Sequence, residues 1–137
     1  MTELAGKTIL LVDDDSEVRQ AIEAALEPLG ADLFTADNGN AAVELTLEKS
    51  PDLVILDMML PKRSGFLVLE KIKRGKKRGE KPYVVMITAN TGHRHKAYAR
   101  TLGVDDYLLK PFHMDRLVAA VTKLFEGQEE PQEEQSS

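Results

Sequence analysis

Lys7-Thr8-Ile9-Leu10-Leu11-Val12-Asp13-Asp14-Asp15 is an apolar run that breaks abruptly into carboxylates. Consecutive large aliphatic residues are apolar on both faces, which is what a strand inside a parallel sheet needs. The signature returns at Leu53-Val54-Ile55-Leu56, followed by Asp57, and at Tyr83-Val84-Val85-Met86-Ile87, followed by Thr88. Weaker strands fit 32–36 and 106–109. Between strands 1 and 2, Val18, Ala21, Ile22, Ala25 and Leu26 recur at helical spacing behind Ser16 as candidate N-cap, with Pro28 in the last turn and Gly30 as the stop. Further helices read over about 40–48, 66–74, 94–102 and 114–125.

Five strands alternating with five helices predict an α/β fold with a doubly wound, five-stranded parallel sheet. The expected strand order is the flavodoxin-like 2-1-3-4-5, with right-handed crossovers and the five helices flanking both faces. Strands 1 and 3 are then neighbours, and their carboxyl ends border the crevice where strand order reverses. Ligands of open sheets bind there.

The 137 residues suit one domain, 42% hydrophobic and 30% charged, large enough to bury about two-thirds of its unfolded surface. The absence of cysteine excludes disulfide scaffolds, thiolate metal sites and thiol enzymes, and suits a reducing compartment. No basic leader is seen and no apolar run approaches the roughly 20 residues that span a bilayer, so the expectation is a soluble, cytoplasmic protein without membrane contact. The net charge is −5, yet without the glutamates at 129, 130, 133 and 134 it is −1. Residues 127–137 carry no base and no large apolar side chain, so the expected division is a domain over 1–126 and a disordered or weakly helical acidic tail over 127–137. The segment 71–81 is strongly basic, but no aromatic residue interrupts it as a stacking platform would. It is expected to be a solvated loop, with no direct nucleic-acid binding.

The predicted strand ends gather the polar chemistry. Strand 1 ends at Asp13, Asp14 and Asp15, strand 3 at Asp57 and strand 4 at Thr88, and strand 5 is followed by Lys110-Pro111. Two like charges about 4 Å apart at an effective dielectric near 20 repel by about 4 kcal/mol, so Asp13, Asp14 and Asp57 need cations to converge. Lys110 supplies one charge and a divalent ion the rest. Oxygen donors without thiols point to Mg²⁺, or Mn²⁺ as a substitute, with a phosphoryl group as the natural missing ligand. Such a site supports phosphoryl transfer to a carboxylate: Asp57 attacks, Lys110 and the metal neutralise the phosphoryl oxygens, and Thr88 donates a hydrogen bond.

Val12-Asp13-Asp14, the stretch Leu53 to Pro61 with Gly65, Ile87-Thr88-Ala89, and Tyr107 ahead of Lys110-Pro111-Phe112 together resemble the receiver domain of two-component response regulators, of the chemotaxis-receiver kind. The resemblance spans about 7–125. It implies that Asp57 is the phosphoacceptor, that Asp14 binds Mg²⁺ directly and Asp13 largely through water, and that the Met59 carbonyl is a further ligand. It makes Lys110 the ion-pair partner of the phosphate, Thr88 the switching hydroxyl and Tyr107 the aromatic switch. Asp15 receives no such role and is read as a helix-start residue.

The implied function is a phosphorylation-switched signalling module that takes phosphate from a histidine kinase or phosphotransfer protein and alters its affinity for a target or an effector domain. It is a switch more than an enzyme, although its own residues catalyse gain and loss of the phosphate. The alternatives are a Mg²⁺-dependent phosphohydrolase, against which stands the lack of an acidic residue two positions after Asp57, and a constitutive interaction domain. His93 and His95 are two apart on a helix and point apart, so they read as solvated rather than metal-binding. Gly39, Gly65 and Gly103 form no nucleotide-binding fingerprint. Leu117, Val118, Val121 and Leu124 of helix 5 read as core, while neighbouring exposed positions with helix 4 and strand 5 are expected to offer a partner or dimer surface.

Overall fold

In the computed structural model, which describes residues 3–89 and 92–129 with the side chains of 127–129 excepted, the apolar runs lie side by side. The strands are β1 (Thr8–Val12), β2 (Asp32–Ala36), β3 (Leu53–Asp57), β4 (Tyr83–Thr88) and β5 (Asp106–Leu109), all parallel in the order β2-β1-β3-β4-β5. Expected and observed order agree. The register pairs Val12 with Leu56, Asp57 with Ile87 and Thr88 with Leu109, so the carboxyl ends of the strands form one edge.

Five helices flank the sheet: α1 (Ser16–Leu26), α2 (Gly39–Lys49), α3 (Gly65–Ile72), α4 (His93–Thr101) and α5 (Met114–Glu129). Alternate strand residues face opposite sides, which builds two cores. Ile9, Leu11, Ile55, Val85 and Ile87 pack under α1 and α5 through Ile22, Leu26, Leu117, Val121 and Phe125. Leu10, Val12, Val54, Leu56, Val84 and Met86 pack under α2, α3 and α4 through Ala42, Val43, Val68, Leu69 and Ala99.

The local signals need some correction. Asp15, not Ser16, caps α1, its carboxylate accepting from the Glu17 N–H at 2.9 Å; both residue types cap well, and the cap falls on the one whose backbone is still extended. Pro28 lies in a separate 3-10 turn (Glu27–Leu29) that ends at Gly30 with φ 96°, because proline suits the first turn of a new helix better than the last turn of an old one. α5 continues through Glu129, so 127–129, expected in the acidic tail, are helical: lack of apolar side chains removes burial, not helix propensity. The rest of the expected tail lies outside the described residues.

The basic segment is not simply a solvated loop. Lys73 is buried, its ammonium 3.0 Å from Asp105 and donating to the carbonyls of Lys77 and Glu80 at 3.0 and 2.6 Å. Asp105 also accepts from the Gly79 and Val84 N–H groups. Lys81 pairs with Asp52 at 3.0 Å, and Asp52 in turn accepts from the Thr8 N–H. The loop is thereby fastened to the amino-terminal end of the sheet while Lys71, Arg74, Lys76, Lys77 and Arg78 remain exposed.

Candidate functional site

Parallel pairing carries Asp13, which follows β1, to the side of Asp57, which ends β3. Asp13, Asp14 and Asp57 each offer a carboxylate oxygen within 4.8 Å of the others. Asp13 and Asp57 are buried and Asp14 is exposed. Lys110, just beyond β5, reaches back so that its ammonium lies 3.0 Å from Asp13 and 3.6 Å from Asp57. Its own N–H donates to the Thr88 carbonyl at 2.7 Å, which ties the lysine to the end of β4.

The two buried carboxylates are held in place. One Asp13 oxygen accepts from the Asp15 N–H at 2.9 Å, and the Asp57 oxygen turned from Lys110 accepts from the Met59 N–H at 3.3 Å. The Arg19 guanidinium donates to the Asp13 carbonyl at 2.6 Å, fixing the backbone from α1. Gly65 opens α3 directly against this strand end, its N–H donating to the Met58 carbonyl. A Cβ there would lie 2.5 Å from the Asp57 carbonyl oxygen, so any larger residue pushes on the backbone that carries Asp57.

The three carboxylates outnumber their lysine. Burial and the neighbouring Asp13 push the Asp57 carboxyl up to about 6, with Lys110 and the Met59 N–H pulling it back and Asp14 adding to the rise. Burial disfavours the Lys110 ammonium, but the hydrogen bond to Asp13 and the charge of Asp57 more than offset that, holding its pKa above the usual lysine value. An all-oxygen pocket with excess negative charge fits a hard divalent cation.

The other sequence candidates divide. Thr88 is fully buried at the end of β4, beside Asp57 in the sheet, and Met59 is 63% exposed at the mouth of the site. Tyr107 packs on the core beneath α4, its hydroxyl buried with no hydrogen-bond partner among the described residues. His93 is exposed as expected, but His95 is not solvated: its ring stacks on Phe66 at 5.8 Å and its Nδ1 is buried without a partner among the described residues. The spacing argument separates the two histidines correctly, but it carries no information about an aromatic from another helix.

A twofold-wound sheet whose carboxyl edge joins buried carboxylates to a lysine defines an α/β domain with an acidic pocket at its topological switch point. Within that class, the chain belongs to the response regulator receiver domain family, whose model matches residues 9–122. It is 38% identical over 116 residues to the phosphate regulon transcriptional regulatory protein PhoB of Pseudomonas aeruginosa, covering 85% of this chain and 50% of that protein. The chain thus spans about half the length of this curated relative. Among solved structures, it is similar to the signal receiver domain of a Luxo repressor protein described as putative from Vibrio parahaemolyticus (TM-score 0.82, 26% identity, 92% and 95% of the two chains). It is also similar to the receiver domain of a sensor histidine kinase from Pseudomonas aeruginosa with magnesium coordinated in the active-site cleft (TM-score 0.75, 29% identity, 88% and 98% covered). The acidic cluster fits the phosphoacceptor site of such a domain.

Proposed function

We propose that Asp57 is the residue phosphorylated, and that its phosphate changes the affinity of this domain for a protein partner. The observation that carries the reading is the position of Lys110, which bridges Asp13 and Asp57 at the carboxyl edge of the sheet. A carboxylate oxygen of Asp57 attacks phosphorus, an O–P bond forms, and the bond from phosphorus to the donor's imidazole nitrogen breaks, the electron pair leaving with the imidazole. Lys110 is poised to turn its ammonium from Asp13 toward the new phosphoryl oxygens. The Thr88 hydroxyl moves to donate to the phosphate. Asp13, Asp14, Asp57 and the Met59 carbonyl would hold Mg²⁺, or Mn²⁺ in its place, which supplies charge neutralisation to the phosphoryl group when bound.

The donor is a histidine kinase or phosphotransfer protein. A recess of about 490 Å³ beside Lys110, lined by Val18, Ala21, Phe112 and Met114 with Asp15 and Glu17, gives it a surface next to the reacting atoms. The same residues that accept the phosphate promote its loss to water, so the domain acts as a timed switch. No helix among the described residues is long and apolar enough to cross a membrane, and the reading takes the cytoplasm as the compartment.

Incubation with acetyl phosphate or phosphoramidate and Mg²⁺ tests this. The expected result by intact-protein mass spectrometry is one added phosphoryl group, absent in Asp57→Asn and in excess chelator. Undiminished labelling of Asp57→Asn would remove the mechanism.

A further inference from the structure

The basic segment 71–81 runs from the end of α3 to the start of β4, at the end of the sheet away from Asp57. Two of its cations are spent, Lys73 on Asp105 and Lys81 on Asp52. Arg74, Lys76, Lys77 and Arg78 are exposed, and among the described residues none of the four lies in an ion pair. Glu80, the one acid of the segment, accepts from the Lys77 N–H at 2.7 Å and leaves the excess of positive charge in place. The surface is open: a Cβ on Gly75 or Gly79 would meet nothing within 4 Å.

The backbone that carries these cations is ordered before any anion arrives. The Lys73 ammonium gathers the carbonyls of Lys77 and Glu80, and the Lys76 and Glu80 N–H groups donate to the carbonyls of Lys73 and Lys77. A loop fixed in advance gives up little entropy on docking. α5 leads an anion to it. The Phe125 ring meets the Tyr83 ring edge-on at 5.6 Å, and Tyr83 opens β4 two residues after Lys81. The helix thus carries the chain to the end of the sheet that holds the loop. There the sequence reads Glu129-Glu130-Pro131-Gln132-Glu133-Glu134, and 127–137 contain no base. The five residues past Glu129 extend up to about 17 Å, more than three strand spacings of about 4.8 Å.

We propose that the acidic segment 129–134 lies across the basic loop of its own chain and closes it to other polyanions. Four carboxylates then face Arg74, Lys76, Lys77 and Arg78. Each exposed pair is weak alone, and tethering makes the contact: it holds the two partners at an effective concentration in the millimolar range. A second copy offers the same carboxylates only at its bulk concentration, and a free polyanion must displace them. Nothing in this contact depends on phosphate at Asp57, which ends β3 at the opposite edge of the sheet.

The chain has no cysteine, so Ser136→Cys takes a single nitroxide label, and paramagnetic relaxation of the amides of 74–80 reads the contact in the whole chain. A second chain, neutralised by Glu129→Gln, Glu130→Gln, Glu133→Gln and Glu134→Gln, carries the same label. In low salt the relaxation should be about threefold greater in the first chain than in the neutralised one, and about 0.5 M sodium chloride should remove the difference. Equal relaxation in the two chains, or a difference that salt leaves unchanged, would overturn the proposal. So would equal broadening of an isotope-labelled chain without nitroxide mixed with the nitroxide chain, which would put the segment on a second copy. Without the label, heparin should bind the neutralised chain about tenfold more tightly than the wild type. When both chains also carry Lys76→Glu and Lys77→Glu, that gain should fall below about twofold. No gain, or a gain that survives these two substitutions, would likewise overturn the proposal.

Discussion

Asp57 holds a charge that its surroundings resist. Its carboxyl is raised from 3.8 to about 6 by burial and then by Asp13, so between those pH values the folded protein keeps a proton that the unfolded chain has released. Stability therefore falls as pH climbs from about 4 to about 6 and stays at the lower level above. Each pKa unit is worth about 1.4 kcal/mol, so the ionised group costs on the order of 2–3 kcal/mol at neutral pH. Asp57→Asn, compared with the wild type by urea denaturation in chelator, should be more stable by about that amount near pH 7, and the gain should shrink as pH falls through 6 toward 4. A gain independent of pH would mean that the strain at this position is not electrostatic. Added Mg²⁺ should narrow the gap from the other side by stabilising the wild type alone.

The loop between α3 and β4 is fastened by one buried pair, Lys73 and Asp105, and by the more exposed pair of Lys81 and Asp52. Removing one partner of a buried pair strands the other charge, at a cost of about 3–5 kcal/mol. Lys73 and Asp105 are not equivalent, however: Lys73 serves the carbonyls of Lys77 and Glu80, which each keep a second lone pair, whereas Asp105 satisfies the N–H groups of Gly79 and Val84, and a buried N–H left alone is tolerated less than a carbonyl. Asp105→Ala should thus destabilise more than Lys73→Met in urea denaturation, with both effects large; a loss under about 1 kcal/mol for either would show that the pair is solvated in solution. This pair also marks the limit of what the sequence discloses. Asp13, Asp57 and Thr88 are legible because a strand buried on both faces must be an unbroken apolar run, and the polar residue that ends it stands out; Lys110 follows a weaker strand and is legible through Lys110-Pro111-Phe112. Lys73 hides among the other cations of 71–81, and its partner lies in another loop with no fixed spacing to it. Arg19 escapes for a related reason, since it acts on a backbone carbonyl and leaves no pattern of residue types; Gly65 is visible as part of the motif, but its close approach to the Asp57 backbone is not.

On the proposed function, the path from site to partner runs across the sheet. Thr88 is fully buried at the end of β4, and Tyr107 lies one strand over, its hydroxyl buried with no partner among the described residues. A buried hydroxyl in that position is costly and ready to exchange between arrangements. Beryllofluoride should shift amide resonances over 92–112 in the wild type, and Thr88→Ala should lose most of that response while still accepting some phosphate. The full wild-type pattern in Thr88→Ala would sever the proposed coupling. The loop fastened by Lys73 sits at the opposite end of the sheet, and its signals should hardly move. The direction of α5 gives this arrangement a further meaning. It starts beside the site, where Met114 and Lys110 line the same recess, and passes Tyr83 and Lys7 at the far end through Phe125. Its 16 residues carry the chain about 24 Å at 1.5 Å per residue. Electrostatic fields in physiological salt fade over about 8 Å. The far end of α5 therefore lies outside the reach of the charge that the proposed phosphate adds at Asp57, and news of it arrives there by touch, as a lever moved rather than a field felt.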